Sequence, residues 1–236
     1  MVKDELIKRS PLRIFEQSIN GGLKAGEIGI IASQAGIGKT SVLVQLALDK
    51  LLQEKKVIHV SFTQHTHYVL AWYEDIFSEF ISKKNLENTD EIKNDLVKNR
   101  VLMNFNQDGV TIEQILRSLR AMIIEGGFKA NSIIIDGFDF TRASRECIEA
   151  VKIFATEMGL SVWYSCSIKD DSSQALFDKE NIPVVLGSFI NNIDVVIVLQ
   201  PKQEHIELSI SKDRNTHVSR SMAMKLDPKT LLILEA

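Results

Sequence analysis

A glycine-containing loop with one lysine and one threonine is the segment of the chain best suited to chemistry. It reads Ser33-Gln34-Ala35-Gly36-Ile37-Gly38-Lys39-Thr40. Gly36 and Gly38 can adopt backbone angles that a side chain obstructs, so the amides of the loop can converge on one anion. The loop follows an apolar run and opens a helical pattern, which places that anion at the N-terminus of a helix. This context predicts a phosphate-binding loop.

Two side chains of the loop and one acid downstream predict the remaining contacts to a nucleotide and its metal ion. Lys39 is expected to reach the β- and γ-phosphates as a binding and catalytic group. Thr40 is expected to offer its hydroxyl to Mg²⁺, and Asp136 to hold a Mg-bound water. We therefore predict ATP and Mg²⁺ as ligands. The expected nucleotide contacts are Ser33, Gln34, Ala35, Gly36, Ile37, Gly38, Lys39, Thr40 and Ser41.

Apolar runs that alternate with helical patterns must position these residues. Strands are predicted at 27–32, 57–62, 101–105, 132–136 and 160–165, with closing strands at 194–199, 206–211 and 222–226. Helices are predicted at 39–52, 68–81 and 144–158. Another follows the capping box formed by Thr111 and Gln114, and the charged stretch 83–98 indicates a solvated helical face. This alternation predicts an α/β fold with a mostly parallel sheet, helices on both faces and one domain over residues 1–236.

The net charge, the cysteines and the apolar runs of the chain indicate its compartment and its class of partner. The formal net charge of the 236 residues is -3, so no strong global attraction to nucleic acid or anionic lipid is expected. Cys147 and Cys166 form no CxxC pair, and we expect reduced thiols in the core. The sequence shows no signal peptide and no apolar run long enough to span a bilayer. These features favour a cytoplasmic protein without a membrane partner.

With these motifs in place, the chain resembles the RecA-like superfamily of P-loop ATPases, in particular the ATPase domain of DnaB-type helicases and KaiC-type proteins. Beside the phosphate loop and Asp136, the resemblance lies in residues 21–27, in the late strand at 193–197 and in Ser211-Lys212-Asp213-Arg214-Asn215. It implies a RecA-like fold and a homo-oligomer, for example a hexamer. It also implies that Lys212 and Arg214 reach a neighbouring subunit's nucleotide as catalytic cations. The alternative is that they are two solvated cations at the end of a strand.

The chain departs from the family at two positions. The family has a catalytic glutamate after the second strand, where this chain has Thr63-Gln64-His65. The family often has a glutamine after the strand at 160–164, where this chain has Ser165-Cys166-Ser167. Asp139, Glu146 and His65 are possible substitute bases, and Gln64 could orient a water without taking its proton. His65 and His67 could instead suggest a metal, but no cysteine or carboxylate lies near them in the sequence.

Two functions remain open at this point. One is an ATP-binding regulatory or scaffold protein with weak or absent hydrolysis, which the missing glutamate favours. The other is a DNA-dependent ATPase, for which Arg142 and Arg145 could contact phosphates. Lys169 and Lys179 stand against four acids in the second loop that would face DNA, which disfavours this alternative. Those acids are Asp170, Asp171, Asp178 and Glu180. No base-reading motif separates ATP from GTP.

Overall fold

The computed structural model describes residues 7, 10–84, 89–169, 175–217 and 219–236. Its helices are α1 (Leu12–Ser18), α2 (Lys39–Leu52), α3 (Thr66–Lys84), α4 (Asp90–Lys98), α5 (Ile112–Ile124) and α6 (Arg145–Met158), with 3-10 helices at Phe140–Arg142 and Val184–Asn192. Its strands are β1 (Ile28–Ser33), β2 (Val57–Ser61), β3 (Arg100–Asn104), β4 (Ser132–Asp136), β5 (Ser161–Ser167), β6 (Val195–Pro201), β7 (Ile206–Asp213), β8 (Arg220–Leu226) and β9 (Ile233–Glu235).

The described strands form one mixed sheet in the order β3-β2-β4-β5-β1-β6-β7-β8-β9. The first six strands of this order run parallel, and β7, β8 and β9 close the sheet in antiparallel pairs. Every residue of β1, β2 and β4 is buried, as expected for parallel strands that helices cover on both sides. The predicted α/β fold with a mostly parallel sheet and closing strands is confirmed. That residues 1–236 form one domain stays a prediction.

Alternate residues of the strands face two layers of helices, and each layer has its own apolar core. Helices α1 to α4 cover one face and α5 and α6 the other. Strand residues on the first face include Ile31, Val57, Ile134 and Trp163, and those on the second include Ile30, Ile58, Ile133 and Val162. Because the phosphate loop joins the buried strand β1 to the buried helix α2, both ends of the loop are fixed by the core.

Several boundaries agree with the sequence patterns. Helix α2 spans the predicted residues, and both hydrogen bonds of the capping box at Thr111 and Gln114 are present at the start of α5. Gly159 ends α6 in the left-handed conformation, with a φ of 66°. Cys166 is buried as expected, whereas Cys147 is only partly buried, because it lies in the first turn of α6 beside the cap residue Ser144. Both cysteines are free.

Other elements differ from the predictions. Strand β5 continues to Ser167 because it keeps pairing with β1 as far as Ser33. The predicted helical stretch at 83–98 contains α4, while residues 85–88, like Asp170 and Asp171, lie outside the described residues. The patterns also missed α1, the 3-10 helix at Val184–Asn192 and β9. No helix in the part of the chain that the structure describes combines the length and apolar character needed to cross a bilayer.

One histidine is enclosed by the core under α3. His59 of β2 is fully buried, and its Nδ1 lies 3.1 Å from the hydroxyl oxygen of Tyr73. Burial lowers the pKa of His59 to about 4, against a partial opposing effect of Asp136, and Arg100 lowers it further. The imidazole is therefore neutral in the folded chain at neutral pH.

This burial predicts a specific dependence of stability on pH. A histidine whose pKa is lower in the folded state favours unfolding once the pH falls below its unfolded pKa of about 6.5, because only the unfolded chain takes up the proton. Between pH 6.5 and 5.5, His59 should lower the free energy of unfolding by ~1 kcal/mol. Urea unfolding of the unmodified chain and of His59→Gln at several pH values measures this slope. An unchanged slope in His59→Gln contradicts the assignment.

Candidate phosphate-binding site

The carboxyl ends of four parallel strands meet at one edge of the sheet. Strand β1 ends at Ser33, β2 at Ser61, β4 at Asp136 and β5 at Ser167. Ser61 pairs with Asp136, and Ser33 pairs with Ser167. The phosphate loop and Asp136, about a hundred residues apart in the sequence, therefore lie at the same edge, which is where open α/β sheets usually bind ligands.

Two glycines of the loop hold left-handed backbone conformations. The φ angles are 79° at Gly36 and 106° at Gly38, which is the residue before α2. A Cβ on Gly38 would lie 2.6 Å from Cδ2 of Leu226, so a larger residue would displace that side chain in addition to straining the backbone. Gln34, Ala35 and Gly36 are exposed. The loop is thus open to solvent in its middle and anchored at both ends.

Lys39 lies inside the loop. Its Nζ donates to the carbonyl oxygens of Ser33 at 3.1 Å and Gln34 at 2.9 Å, and to the hydroxyl oxygen of Ser33 at 3.3 Å. Burial lowers the pKa of Lys39, and the charge of Asp136 opposes that shift. The hydroxyl of Ser33, where such loops usually have glycine, is therefore one of the lysine's acceptors. A phosphate entering the loop would replace these neutral acceptors with charged ones.

Thr40 and Asp136 form a direct contact. The hydroxyl of Thr40 donates to Oδ2 of Asp136 at 2.8 Å, and Asp136 is buried. A hydroxyl and a carboxylate are hard oxygen ligands of the kind that Mg²⁺ takes together with waters and phosphate oxygens. No group of three or more potential metal-ligating His, Cys, Asp or Glu occurs among the described residues. These two side chains fit Mg²⁺ only in company with a phosphate-bearing ligand.

The hydroxyl of Ser41 is engaged outside the loop, while the contact of this residue with nucleotide stays a prediction. Ser41 is fully buried, and its hydroxyl donates to the carbonyl oxygen of Leu231. The side-chain amide of Gln45 donates to the same carbonyl and accepts from the amide of Ile233. These contacts join the C-terminal hairpin of β8 and β9 to the first turns of α2, a role that the sequence pattern did not indicate.

The two positions at which the chain differs from the family that it resembles lie at the same edge of the sheet. Thr63, Gln64 and His65 follow β2 and bring no carboxylate to it. The hydroxyl of Ser165 accepts from the amide of Gly137 at 2.8 Å. Burial raises the pKa of the Cys166 thiol to about 12, with Lys39 opposing this, so the thiol is neutral.

The carboxylates proposed as substitute bases are weak ones. Asp139 accepts hydrogen bonds from Thr141 and pairs with Lys169. Burial raises the pKa of Asp139, but these contacts lower it by more than burial raises it. The pKa therefore lies below its ordinary value. Glu146 is exposed at the start of α6, where a hydrogen bond with Ser144 lowers its pKa. Neither carboxylate has the raised pKa that suits a general base at neutral pH.

His65 and His67 lie on the surface at the start of α3. Their rings stack with centroids 6.0 Å apart, and the ring of His67 contacts Tyr68 at 3.9 Å. All three residues are exposed. The contacts of these imidazoles are thus with one another and with Tyr68, and the described residues bring no carboxylate or thiol to them as a metal ligand.

Lys212 and Arg214 lie at the opposite edge of the sheet, because β7 runs antiparallel to β6 and Asp213 pairs with Val195 at the start of β6. The Nζ of Lys212 donates to the carbonyl oxygens of Ile190 and Ile193. Lys212 and Arg214, the two cations expected to reach a neighbouring subunit's nucleotide, therefore lie away from the phosphate loop of their own chain.

Arg214 is saturated with hydrogen bonds inside the chain. Its Nε and Nη2 donate to the two carboxylate oxygens of Glu27 at 2.9 and 2.8 Å. Its remaining hydrogen bonds go to the carbonyl oxygens of Ile19 and Gly22 and to Asp213. These contacts match the five N–H donors of a guanidinium. Sequence reasoning missed Glu27, which it took only as the start of a strand.

The cations that were considered for DNA are partly neutralised. Arg142 pairs with Asp108, and Lys169 pairs with Asp139. Arg145 and Lys179 are exposed. Of these four cations, Arg142 and Lys169 are therefore paired with carboxylates, which reduces the positive charge available to a DNA backbone.

A comparison of the chain with protein-family models found no match. A comparison with curated proteins likewise found no match.

Proposed function

We propose that this chain is a RecA-like P-loop protein that binds Mg-ATP and hydrolyses it slowly or not at all, in a regulatory or scaffold role. The contact that carries the proposal is the 2.8 Å hydrogen bond between Thr40 and Asp136. It joins the first turn of the helix after the loop to an acid at the end of another strand, as a Mg-nucleotide site requires. Lys39 and the two left-handed glycines supply the phosphate-binding part.

The strand order supports the RecA-like part of this proposal. Strand β1 has parallel neighbours on both sides, and the loop leaves it at the carboxyl edge. The acid-bearing strand β4 lies two positions away, beyond β5. Asp136 can therefore face the hydroxyl of Thr40 without belonging to the loop. Sheets of this kind bind nucleotides where the strand order changes direction, and here that change occurs beside β1.

Slow hydrolysis follows from the groups at the edge. A positioned general base contributes about a hundred- to ten-thousand-fold to the rate of a reaction. Thr63 and Gln64 cannot take a proton from water at neutral pH, and Asp139 is held by Thr141 and Lys169. Lys39 can still bind the phosphates. The expected protein retains ATP and turns it over slowly.

Steady-state release of phosphate by the purified chain tests this proposal. We expect turnover far below about ten per second, which is typical of a competent enzyme. Lys39→Ala, assayed beside it, measures the contribution of contaminating ATPases. Turnover near ten per second that Lys39→Ala abolishes would contradict the slow-hydrolysis proposal. Strong stimulation by single-stranded DNA would favour a DNA-dependent ATPase instead.

Assembly into a homo-oligomer such as a hexamer also stays a proposal. The resemblance assigns Lys212 and Arg214 to a neighbouring subunit's site, but the observed hydrogen bonds of both side chains are made within their own chain. The proposal of assembly therefore does not rest on them. Light scattering at high protein concentration, with and without Mg-ATP, measures the oligomeric state directly.

A further inference from the structure

The turn after β2 is fixed to its surroundings at three points. The amide of Phe62 donates to the carbonyl oxygen of Asp136 at 2.9 Å. The amide of Gln64 donates to the hydroxyl of Ser61 at 3.0 Å, and the side chain of Asn104 donates to the carbonyl oxygen of Gln64 at 2.6 Å. The backbone of Gln64 is therefore held one short turn away from the strand that carries Asp136.

The side chain of Gln64 has an unused acceptor. Its Oε1 is buried and has no hydrogen-bond partner among the described residues. A buried polar atom left without a partner destabilises the folded chain, and such atoms are few in folded proteins. The backbone clamp holds the residue in place despite this cost. The turn lies next to Asp136, so the backbone of Gln64 is at the edge of the sheet that carries the candidate phosphate site.

The neighbours of Gln64 do not offer the same feature. The side chain of Thr63 packs against Gly137. A Cβ added to Gly137 would lie 2.4 Å from the hydroxyl oxygen of Thr63. The ring of His65 is exposed and stacks on His67. Of the three residues that stand in place of the family's glutamate, Gln64 therefore combines a fixed backbone with a buried, unpartnered polar atom.

We propose that Gln64 binds the water that attacks the γ-phosphate, with Asn104 and Ser61 as positioning residues. This inference rests on the proposed function. When nucleotide binds, the side chain rotates and exposes Oε1, which then accepts a hydrogen bond from that water and orients it. The water oxygen forms a bond to phosphorus, and the bond to the bridging oxygen breaks, leaving its electron pair on ADP. The water's proton passes to a γ-phosphate oxygen, because an amide does not take it. Orientation without proton removal gives a slow reaction.

The first test compares Gln64→Ala with the unmodified chain and with Gln203→Ala, an exposed glutamine in the turn between β6 and β7. We expect Gln64→Ala to lower the single-turnover rate about tenfold to a hundredfold, the cost of misplacing a reacting group. Affinity for ADP should stay within about twofold, because Gln64 is proposed to contact the attacking water and not the bound ADP. Gln203→Ala should change neither quantity.

The second test places a carboxylate at adjacent positions. Gln64→Glu should raise the single-turnover rate, by up to about a hundredfold, because the same oriented water now meets a base. Thr63→Glu should not raise it, because that side chain packs against Gly137. Thermal unfolding of each variant verifies that it folds. An equal effect of both substitutions, or none from either, would overturn the inference.

The outcomes separate this inference from the proposed function. If the unmodified chain binds neither ADP nor a non-hydrolysable ATP analogue, the proposed function fails and the inference fails with it. If both ligands bind and Gln64→Ala keeps the unmodified rate, only the role of Gln64 is overturned. If the unmodified chain shows no measurable turnover, a gain in Gln64→Glu supports the role of this position and its absence overturns it.

Discussion

Lys39→Ala is expected to weaken the binding of Mg-ATP at least tenfold, which corresponds to about 1.4 kcal/mol. The ammonium of Lys39 is already inside the loop, where its acceptors are neutral oxygens of Ser33 and Gln34. A hydrogen bond between an ammonium and a phosphate joins two opposite charges, whereas those that Lys39 makes to Ser33 and Gln34 carry a charge on the lysine alone. Binding of the nucleotide therefore exchanges weaker contacts for stronger ones, and alanine removes that gain.

The measurement is a titration with a fluorescent ATP analogue in the presence of Mg²⁺. Lys202→Ala is the control, since Lys202 is an exposed cation in the turn after β6 and pairs with Glu207. The fold should survive in Lys39→Ala, because the contacts that are lost lie within the loop and not in the core. Equal affinity of Lys39→Ala and the unmodified chain would reject the site.

Local signals explain which elements could be predicted. The capping box of α5 involves residues three positions apart, and α2 is an apolar run that begins directly after Gly38. Strands such as β4 are short apolar runs that end in a polar residue. Each of these features is encoded within a few neighbouring residues, so a pattern in the sequence is sufficient to recover it.

The elements that were missed depend on contacts between distant parts of the chain. Helix α1 has seven residues and no capping side chain, and it is held by burying Leu12 and Phe15. Strand β9 has three residues, and its first amide donates to Gln45, 188 positions away in the sequence. Such short elements are marginal by themselves and form because tertiary packing stabilises them.

The candidate site divides in the same way. The loop and Asp136 could be predicted, because the types and order of their residues follow from phosphate and metal chemistry. The environment of Ser41 could not, because the carbonyl of Leu231 that it contacts is 190 positions away in the sequence. The clamp on Gln64 needs Asn104 from the end of β3. These contacts result from the order of strands in the sheet, which no local pattern specifies.

The contacts of Arg214 within its own chain lead to a different expectation from the one that the resemblance implies. If this residue acted only on a neighbouring subunit's nucleotide, its removal would impair ATP-linked assembly more than the stability of the monomer. In the structure its guanidinium joins Glu27 at the start of β1 to Asp213 at the end of β7 and to two carbonyl oxygens near the end of α1. The residue therefore connects the amino-terminal segment to the amino edge of the sheet.

Arg214→Ala is accordingly expected to lower the free energy of unfolding by about 2–3 kcal/mol. Breaking a buried ion pair from one side costs about 3–5 kcal/mol, because the remaining charge has lost its partner. Here the cost is smaller, since the side chains of Arg214 and Glu27 are 22% and 16% exposed and solvent screens them in part. Arg214→Lys keeps the charge but not the planar set of donors. Its free energy of unfolding should therefore lie between those of the unmodified chain and Arg214→Ala.

The stability that the ion pair of Arg214 and Glu27 contributes should depend on pH. Burial raises the pKa of Glu27, and the hydrogen bond and charge of Arg214 outweigh that effect, so its pKa lies below the ordinary value. The stabilisation is therefore complete above the unfolded pKa of about 4.3 and is lost as the pH falls through the folded pKa. The difference in stability between the unmodified chain and Arg214→Ala should shrink in that acid range.

Urea unfolding without nucleotide measures the effect of Arg214 on the monomer, and light scattering with Mg-ATP measures its effect on assembly. A double-mutant cycle with Glu27→Gln isolates the pair from the other hydrogen bonds of Arg214. We expect a clear loss of stability in Arg214→Ala before any nucleotide is added, and a coupling between the two substitutions. If Arg214→Ala unfolds like the unmodified chain but loses ATP-linked assembly, the stabilising role is contradicted. That result would favour the role of Arg214 in a neighbouring subunit's site.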